Sequence, residues 1–239
     1  VGRSGSDVLL WRDAEGIVRG VGYFGPQLVL HAEEDEAVEA FAAFSRRVNT
    51  PRMIVGPVAT VERFWGLTRT LFGPFSTIRE CQPVYAVERK QLRYTRADAG
   101  TGVSQASLDE LDEIVDNAAA MIVGELGNDP RRNGSDFRGR TAALISSGWF
   151  WRYRIGGRLV FMCHIGSTSG QTAQLQGVWA PVAARGQGYA TRALGAICDH
   201  LLDEYPTISL YVNDFNAPAI ALYERVGFEP VGAFRSIFL

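Results

Sequence analysis

Beyond residue 100 the apolar positions keep a clear rhythm. Leu108, Leu111, Ile114, Val115, Ala118, Met121 and Ile122 form a stripe at helical spacing, which predicts an amphipathic helix to about Leu126. Ser107 and Glu110 stand in the S-x-x-E form of a capping box at its start. Gly127-Asn128-Asp129-Pro130 ends it. A short helix over about Asp136 to Ser146 comes next. Strands follow at Trp149 to Ile155 and Leu159 to Ile165, joined by the hairpin signal Gly156-Gly157. A third strand, Ala173 to Ala180, follows a turn at 166–170. Tyr189 to about Glu204 reads as a helix closed by Pro206, and Thr207 to Val212 as a strand rich in β-branched and aromatic residues. Asn216 can cap a last helix that runs to Val226 and stops at Gly227. Phe234 to Leu239 is a final strand.

The first part of the chain has a shorter version of the same order. Gly20 to Leu30 is strand-like, and Asp35 to Arg47 is a helix with Ala37, Val38, Phe41 and Phe44 on one face. Met53 to Val55 is a short strand, and Val58 to Leu71 is helical between Pro57 and Gly73-Pro74. Ile78 to Val87 is strand-like although Pro83 interrupts it. Strand, helix, strand, helix, strand in both parts suggests an internal duplication. The joint is the polar stretch near residues 88–97. The expected class is α/β, with one domain over 1–90 and a second over 91–239.

Composition narrows the function more than the fold. The chain has 239 residues, 24 basic and 26 acidic, with a net charge of −2. That balance argues against a nucleic-acid partner, which calls for a basic patch. No apolar run reaches the roughly 18 residues that a membrane span requires, and the charged first 30 residues contain no signal-peptide core. The three cysteines, Cys81, Cys163 and Cys198, are scattered and odd in number, which fits a reducing cytoplasm rather than a disulfide framework. Cys163-His164 and Cys198-Asp199-His200 are the best metal candidates. Both lie in apolar-periodic segments, where a core thiol is the simpler reading, so no metal is expected. No G-x-S-x-G elbow is present to suggest a serine hydrolase.

The chemistry concentrates in residues 177–191, GVWAPVAARGQGYAT. A strand runs into a Gly-rich turn, and the turn opens a helix. Backbone N–H groups at such a helix start lack partners and point one way, and the helix dipole favours an anion there. Gly186 and Gly188 permit positive φ and close approach of a ligand. The loop lacks the Gly-Lys-Ser/Thr of a nucleotide-hydrolysing phosphate loop. It also lacks G-x-G-x-x-G followed by a distant acidic residue, the mark of a dinucleotide site.

R-x-x-G-x-A at Arg185 to Ala190 resembles the acyl-CoA-binding motif of the GNAT acetyltransferases. A second signature, NAPAIALYERVGF at 216–228, resembles the N-x-x-A-x-x-x-Y-x-x-x-G-F pattern of that family's last helix. One helix and one strand separate the two, as the family requires. The resemblance covers residues 93–239, and the whole chain resembles tandem GNAT proteins whose N-terminal half is degenerate. It implies a GNAT-like mixed sheet flanked by helices. It also implies N-acetyl transfer from acetyl-CoA, as co-substrate, to an amine. The backbone of Val178, Trp179 and Ala180 would run along the pantetheine arm. Arg185, Gly186, Gln187, Gly188, Tyr189, Ala190 and Thr191 would hold the pyrophosphate. Asn216 sits where the family commonly contacts the cofactor, and it can also be a plain N-cap. Tyr223 matches the general acid that assists departure of a thiolate whose conjugate acid has a pKa near 8.5.

The general base is less clear. Many family members place a Glu on the strand before the phosphate loop, whereas this chain has Gln174 and Gln176 there. Glu125, Asp129 and His164 are the candidates, and direct loss of the proton through water is the fourth route. In the first half, His31-Ala32-Glu33-Glu34-Asp35-Glu36 replaces the phosphate loop, and its carboxylates would repel pyrophosphate. That half is therefore expected to have lost cofactor binding. A small amine, a peptide N-terminus and a protein lysine all stay open as acceptors, and so does the oligomeric state. A non-catalytic acyl-CoA sensor or scaffold is the competing reading, and transfer of a longer acyl chain is a third.

Overall fold

A computed structural model describes residues 7–132 and 136–239. Residues 1–6, the start of the expected first domain, lie outside the described residues. The chain divides into two compact units that are not contiguous in sequence. One holds the chain up to Val84 together with Tyr211–Asn216 and Val231–Leu239; the other holds Tyr85–Leu210 and Ala217–Pro230.

The first unit opens with β1 (Asp7–Arg12), β2 (Val18–Phe24) and β3 (Gln27–Ala32). Then come α1 (Asp35–Phe44), β4 (Met53–Pro57), α2 (Val58–Phe72) and β5 (Thr77–Val87). What reads as one strand over Gly20 to Leu30 is in fact an antiparallel hairpin, with Phe24 opposite Leu28. Gly25-Pro26 makes the turn, because a proline cannot donate to a ladder. β1 pairs antiparallel with β2, and β3 runs parallel to β4. Phe24, Leu28 and Leu30 from the sheet meet Val38 and Phe41 of α1 and Val61 and Phe64 of α2 in an apolar core. Where a phosphate loop would lie, Glu33-Glu34 connects β3 directly to α1. Asp35 and Glu36 occupy the first turn of that helix, where a carboxylate complements the dipole.

After β5 the second unit continues with α3 (Arg96–Ala99), β6 (Val103–Gln105), α4 (Leu111–Leu126) and α5 (Phe137–Ser146). The strands β7 (Phe150–Ile155), β8 (Arg158–Thr168) and β9 (Thr172–Trp179) follow. The chain then forms α6 (Tyr189–Leu201), β10 (Thr207–Tyr211), α7 (Ala217–Val226) and β11 (Glu229–Phe238). Within this unit the strand order is β10-β9-β8-β7-β6, with β10 and β9 parallel and the others antiparallel.

Local chemistry explains most of the element ends. The Ser107–Glu110 capping box forms, and Glu110 also accepts from Arg152 and Arg154 of β7. Gly127 closes α4 at φ 74°. Asp136 accepts from the Gly139 N–H and caps α5. Gly156 and Gly157 both take positive φ in the β7–β8 hairpin. Three boundaries differ from the sequence pattern. β8 runs on to Thr168, so the turn is confined to 169–171. α6 stops at Leu201, and its last residues are spent in a turn. β11 begins at Glu229, in an exposed stretch ahead of the apolar pattern.

Helices cover both faces of this sheet. Phe150 and Met162 join Ile114, Ala118 and Ile145 in the core under α4 and α5. The neighbouring residue Trp151 points the other way and stacks on His200 of α6, 5.4 Å between ring centroids. Ala193, Leu194, Ala196, Ile197 and Cys198 are fully buried along α6. Gly195 lets α6 approach the Tyr94 backbone too closely for any side chain.

Candidate functional site

The site begins where β9 departs from regular pairing. His164 of β8 faces Gln176, and Met162 faces Trp179. One residue of β8 therefore spans two of β9, Gly177 and Val178, which is a β-bulge. Gly177 makes it possible by adopting φ 62°. On the other side, β9 pairs with β10 only from Thr172 to Gln174, opposite Thr207 to Ser209. Both strands run on past that register. Val178, Trp179 and Ala180 are half-buried along the part of β9 that has left it.

The following loop is braced by its own side chains. Arg185 donates from Nε to the Ala180 carbonyl at 3.1 Å, and Gln187 donates from Nε2 to the Ala183 carbonyl at 2.9 Å. Gly186 and Gly188 have φ of 73° and 75°. Gly188 is the N-cap of α6, and no side chain caps it. The first turn of α6 carries no carboxylate, unlike α1 and α4. Tyr189 meets Tyr153 edge-on at 6.3 Å, and the Arg192 guanidinium lies 5.3 Å over the Tyr189 ring. Ala190 is half-buried and Thr191 buried, so the helix presents its first backbone amides rather than side chains. Together these features form a positive, uncapped helix end beside an unpaired strand edge.

Tyr223 projects from α7 into the same unit and is only 5% exposed. Its ring lies 6.2 Å from Tyr85 and 6.0 Å from Phe228. Burial pushes its phenol pKa up, and the nearby Cys163 and Glu125 push it in the same direction. The hydroxyl therefore keeps its proton across the working pH range. Asn216 immediately precedes α7, and its backbone N–H donates to the Asn213 carbonyl at 2.9 Å. By compactness Asn216 groups with the first unit.

The three base candidates separate clearly. Asp129 is tied up by Arg131, which donates to it from both side chain and backbone, and its pKa is held down at about 2. Glu125, near the end of α4, is exposed. His164 is half-buried at the bulge, and burial lowers its pKa to about 4. Gly177, which makes the bulge, is the position the motif pattern does not mark. The available signal was a glycine inside an otherwise apolar strand. Among the described residues no group of three or more His, Cys, Asp and Glu side chains converges on a metal-sized site.

Comparison with known proteins gives this architecture a class. Residues 111–228 match the family described as Acetyltransferase (GNAT), so that stretch is a GNAT domain. Residues 8–114 match a domain of unknown function, DUF4081. No curated protein matches the chain. Among solved structures, an acetyltransferase of the GNAT family from Colwellia psychrerythraea has a TM-score of 0.61 at 13% identity, covering 98% of this chain and 85% of that one. A GCN5-related N-acetyltransferase from Kribbella flavida has a TM-score of 0.57 at 16% identity, covering 98% and 89%. A tandem GNAT protein from the clavulanic acid biosynthesis pathway covers 99% of this chain and 84% of its own, with a TM-score of 0.54 at 14% identity. The GNAT-type fold thus extends over nearly the whole chain, and the family's general activity is acyl transfer.

Proposed function

We propose that this protein is an N-acetyltransferase that uses acetyl-CoA and transfers its acetyl group directly to an amine. The observation that carries this reading is the coincidence, in one unit, of three features. They are the bulged strand edge at Gly177 to Ala180, the uncapped α6 start at Gly188, and the buried phenol of Tyr223. The donor set suits an acyl-CoA. Gly186 has open space where a side chain would be, and the amides that begin α6 suit a pyrophosphate. The freed backbone of Val178, Trp179 and Ala180 suits the amides of a pantetheine arm. An N–H aimed at the acyl oxygen would stabilise charge developing there. Arg185 and Gln187 contribute by bracing the loop, and Tyr189, Ala190 and Thr191 by presenting backbone.

Tyr223 donates its phenolic hydrogen bond to the departing sulfur. With its pKa raised, the phenol is a firm donor and a reluctant proton source. Its contribution is to stabilise the thiolate as it forms, and water completes the protonation. For Asn216 both readings stand, N-cap of the last helix and cofactor contact. The first domain, in which acidic residues replace the phosphate loop, binds no cofactor.

The test is thiol release from acetyl-CoA against a panel of small amines, N-terminal peptides and lysine peptides. Acceptor-dependent release is expected, and Tyr223→Phe should slow it about 10- to 100-fold with CoA affinity unchanged. The absence of a carboxylate at Gln174 and Gln176 favours one other reading, a non-catalytic acyl-CoA sensor. Tight CoA binding without release on any acceptor would support that sensor.

A further inference from the structure

His164 occupies an unusual setting at the bulge. A Cβ placed on Gly177 would lie 2.7 Å from His164 Nδ1 and 2.8 Å from its Cε1. The imidazole therefore fills the space that any other residue at 177 would claim. Its ring is stacked on Phe150 of β7, 5.6 Å between centroids and 17° between planes. Met121 of α4 also reaches this point, its Cε 3.8 Å from the same position. Opposite His164 in the ladder stands Gln176, whose side chain lies over Gly166. Packing thus fixes the ring from several directions.

Its polar edge is a different matter. Among the described residues, the buried side-chain polar atoms without a partner are Trp151 Nε1 and Arg235 Nε. Among the described residues no group hydrogen-bonds to the His164 ring, and its nitrogens are not among these buried orphans, so they are not sealed away. A rigidly held imidazole with an open nitrogen beside the bulge is arranged to meet an incoming group. We infer that His164 is the catalytic residue that accepts the proton from the attacking amine. This rests on the acetyl-transfer reading above, which runs the pantetheine arm along Val178 to Ala180, directly after Gly177.

The step balances. The amine's lone pair forms the C–N bond, and its N–H becomes strongly acidic as it does so. His164 takes that proton on its unprotonated ring nitrogen. The C–S bond breaks with its electron pair on sulfur, next to the Tyr223 hydroxyl. The imidazolium returns its proton to solvent, and the thiolate gains one from it.

Phe150 from β7, Met121 from α4, and Gln176 and Gly177 from β9 stand against the ring, and none of them titrates. Glu125 is the carboxylate on this end of α4, and it acts on Tyr223. Burial lowers the imidazole pKa, so the ring is unprotonated at neutral pH and able to accept a proton.

The experiment compares the native protein with His164→Asn. Thiol release is measured with the best acceptor, CoA affinity by calorimetry, and the imidazole resonances by NMR. The chain has three histidines, which makes the spectrum assignable. The expected result is a kcat about 100-fold lower with acetyl-CoA KM and CoA affinity unchanged. Addition of acceptor to CoA-loaded native protein should shift the His164 resonance and leave His31 and His200 in place. A kcat within about threefold of native overturns the inference, as does a silent His164 resonance at saturating acceptor. If His164→Asn does not fold, the NMR result on the native protein decides. If the native protein transfers to no amine, the acetyl-transfer reading falls and takes this inference with it. That outcome is distinct from transfer that survives the substitution.

Discussion

Replacing Asp199 with Asn tests how α6 is held in place. The Asp199 side chain is 11% exposed. One carboxylate oxygen accepts from Arg89 Nη1 at 2.6 Å; the other accepts from Arg96 Nε at 2.9 Å and the Arg96 backbone N–H at 3.1 Å. Both arginines also pair with Asp203. Burial alone would raise the Asp199 pKa, but these donors outweigh it and bring it from 3.8 to about 2. That difference corresponds to about 2 kcal/mol of stability at neutral pH. The arginine side chains are 49% and 40% exposed and keep Asp203, so solvent screening should reduce the measured cost to about 1–2 kcal/mol. The sign follows from the depressed pKa. The stabilisation is full above the unfolded value of 3.8 and is lost as pH falls through about 2. Urea denaturation of native and Asp199→Asn protein at pH 7 and pH 3 should show a gap that shrinks to about half at the lower pH. A gap that is equal at both pH values, with equal m-values, would refute an electrostatic origin.

Other positions give simpler expectations. Gly188→Ala places a side chain at φ 75°, where space is ample but the conformation is strained. It should cost about 1–2 kcal/mol and weaken CoA binding measured by calorimetry. Gly195→Ala forces a Cβ into the Tyr94 backbone, which cannot yield as a flexible side chain would. It should lower stability by more than about 2 kcal/mol in thermal or urea unfolding. Iodoacetamide followed by mass spectrometry should label Cys81 alone in native protein, because Cys163 and Cys198 are buried with raised thiol pKa values. Rapid labelling of all three without denaturant would contradict that burial.

Elements defined by local chemistry were legible in the chain itself. The Ser107–Glu110 box, the Gly156-Gly157 hairpin and the α6 and α7 starts each depend on residues a few positions apart. The turn before α6 is legible for the same reason, since a Gly-rich turn that opens a helix is a local object. β6 is not legible because it has three residues at a sheet edge, and β1 is not because, at the other edge, it has no fully buried position to mark a face. The β2–β3 hairpin was merged because its turn residues, Gly25-Pro26, interrupt an apolar run only briefly.

The sequence by itself determined the resemblance of residues 93–239 to the GNAT family, the glycine turn that opens α6 and the place of Tyr223 on its helix. Tertiary structure decided which candidate base stands against the bulge in β9. Glu125, Asp129 and His164 are equivalent on paper, because a carboxylate or imidazole carries no mark of its partners. Folding ties Asp129 to Arg131 and leaves Glu125 on an exposed helix end. It sets the His164 ring against Gly177, thirteen residues further on, through a ladder register that no local pattern encodes. Register depends on the pairing of whole strands, and a bulge displaces it by a residue, so the site's geometry exists only in the assembled sheet.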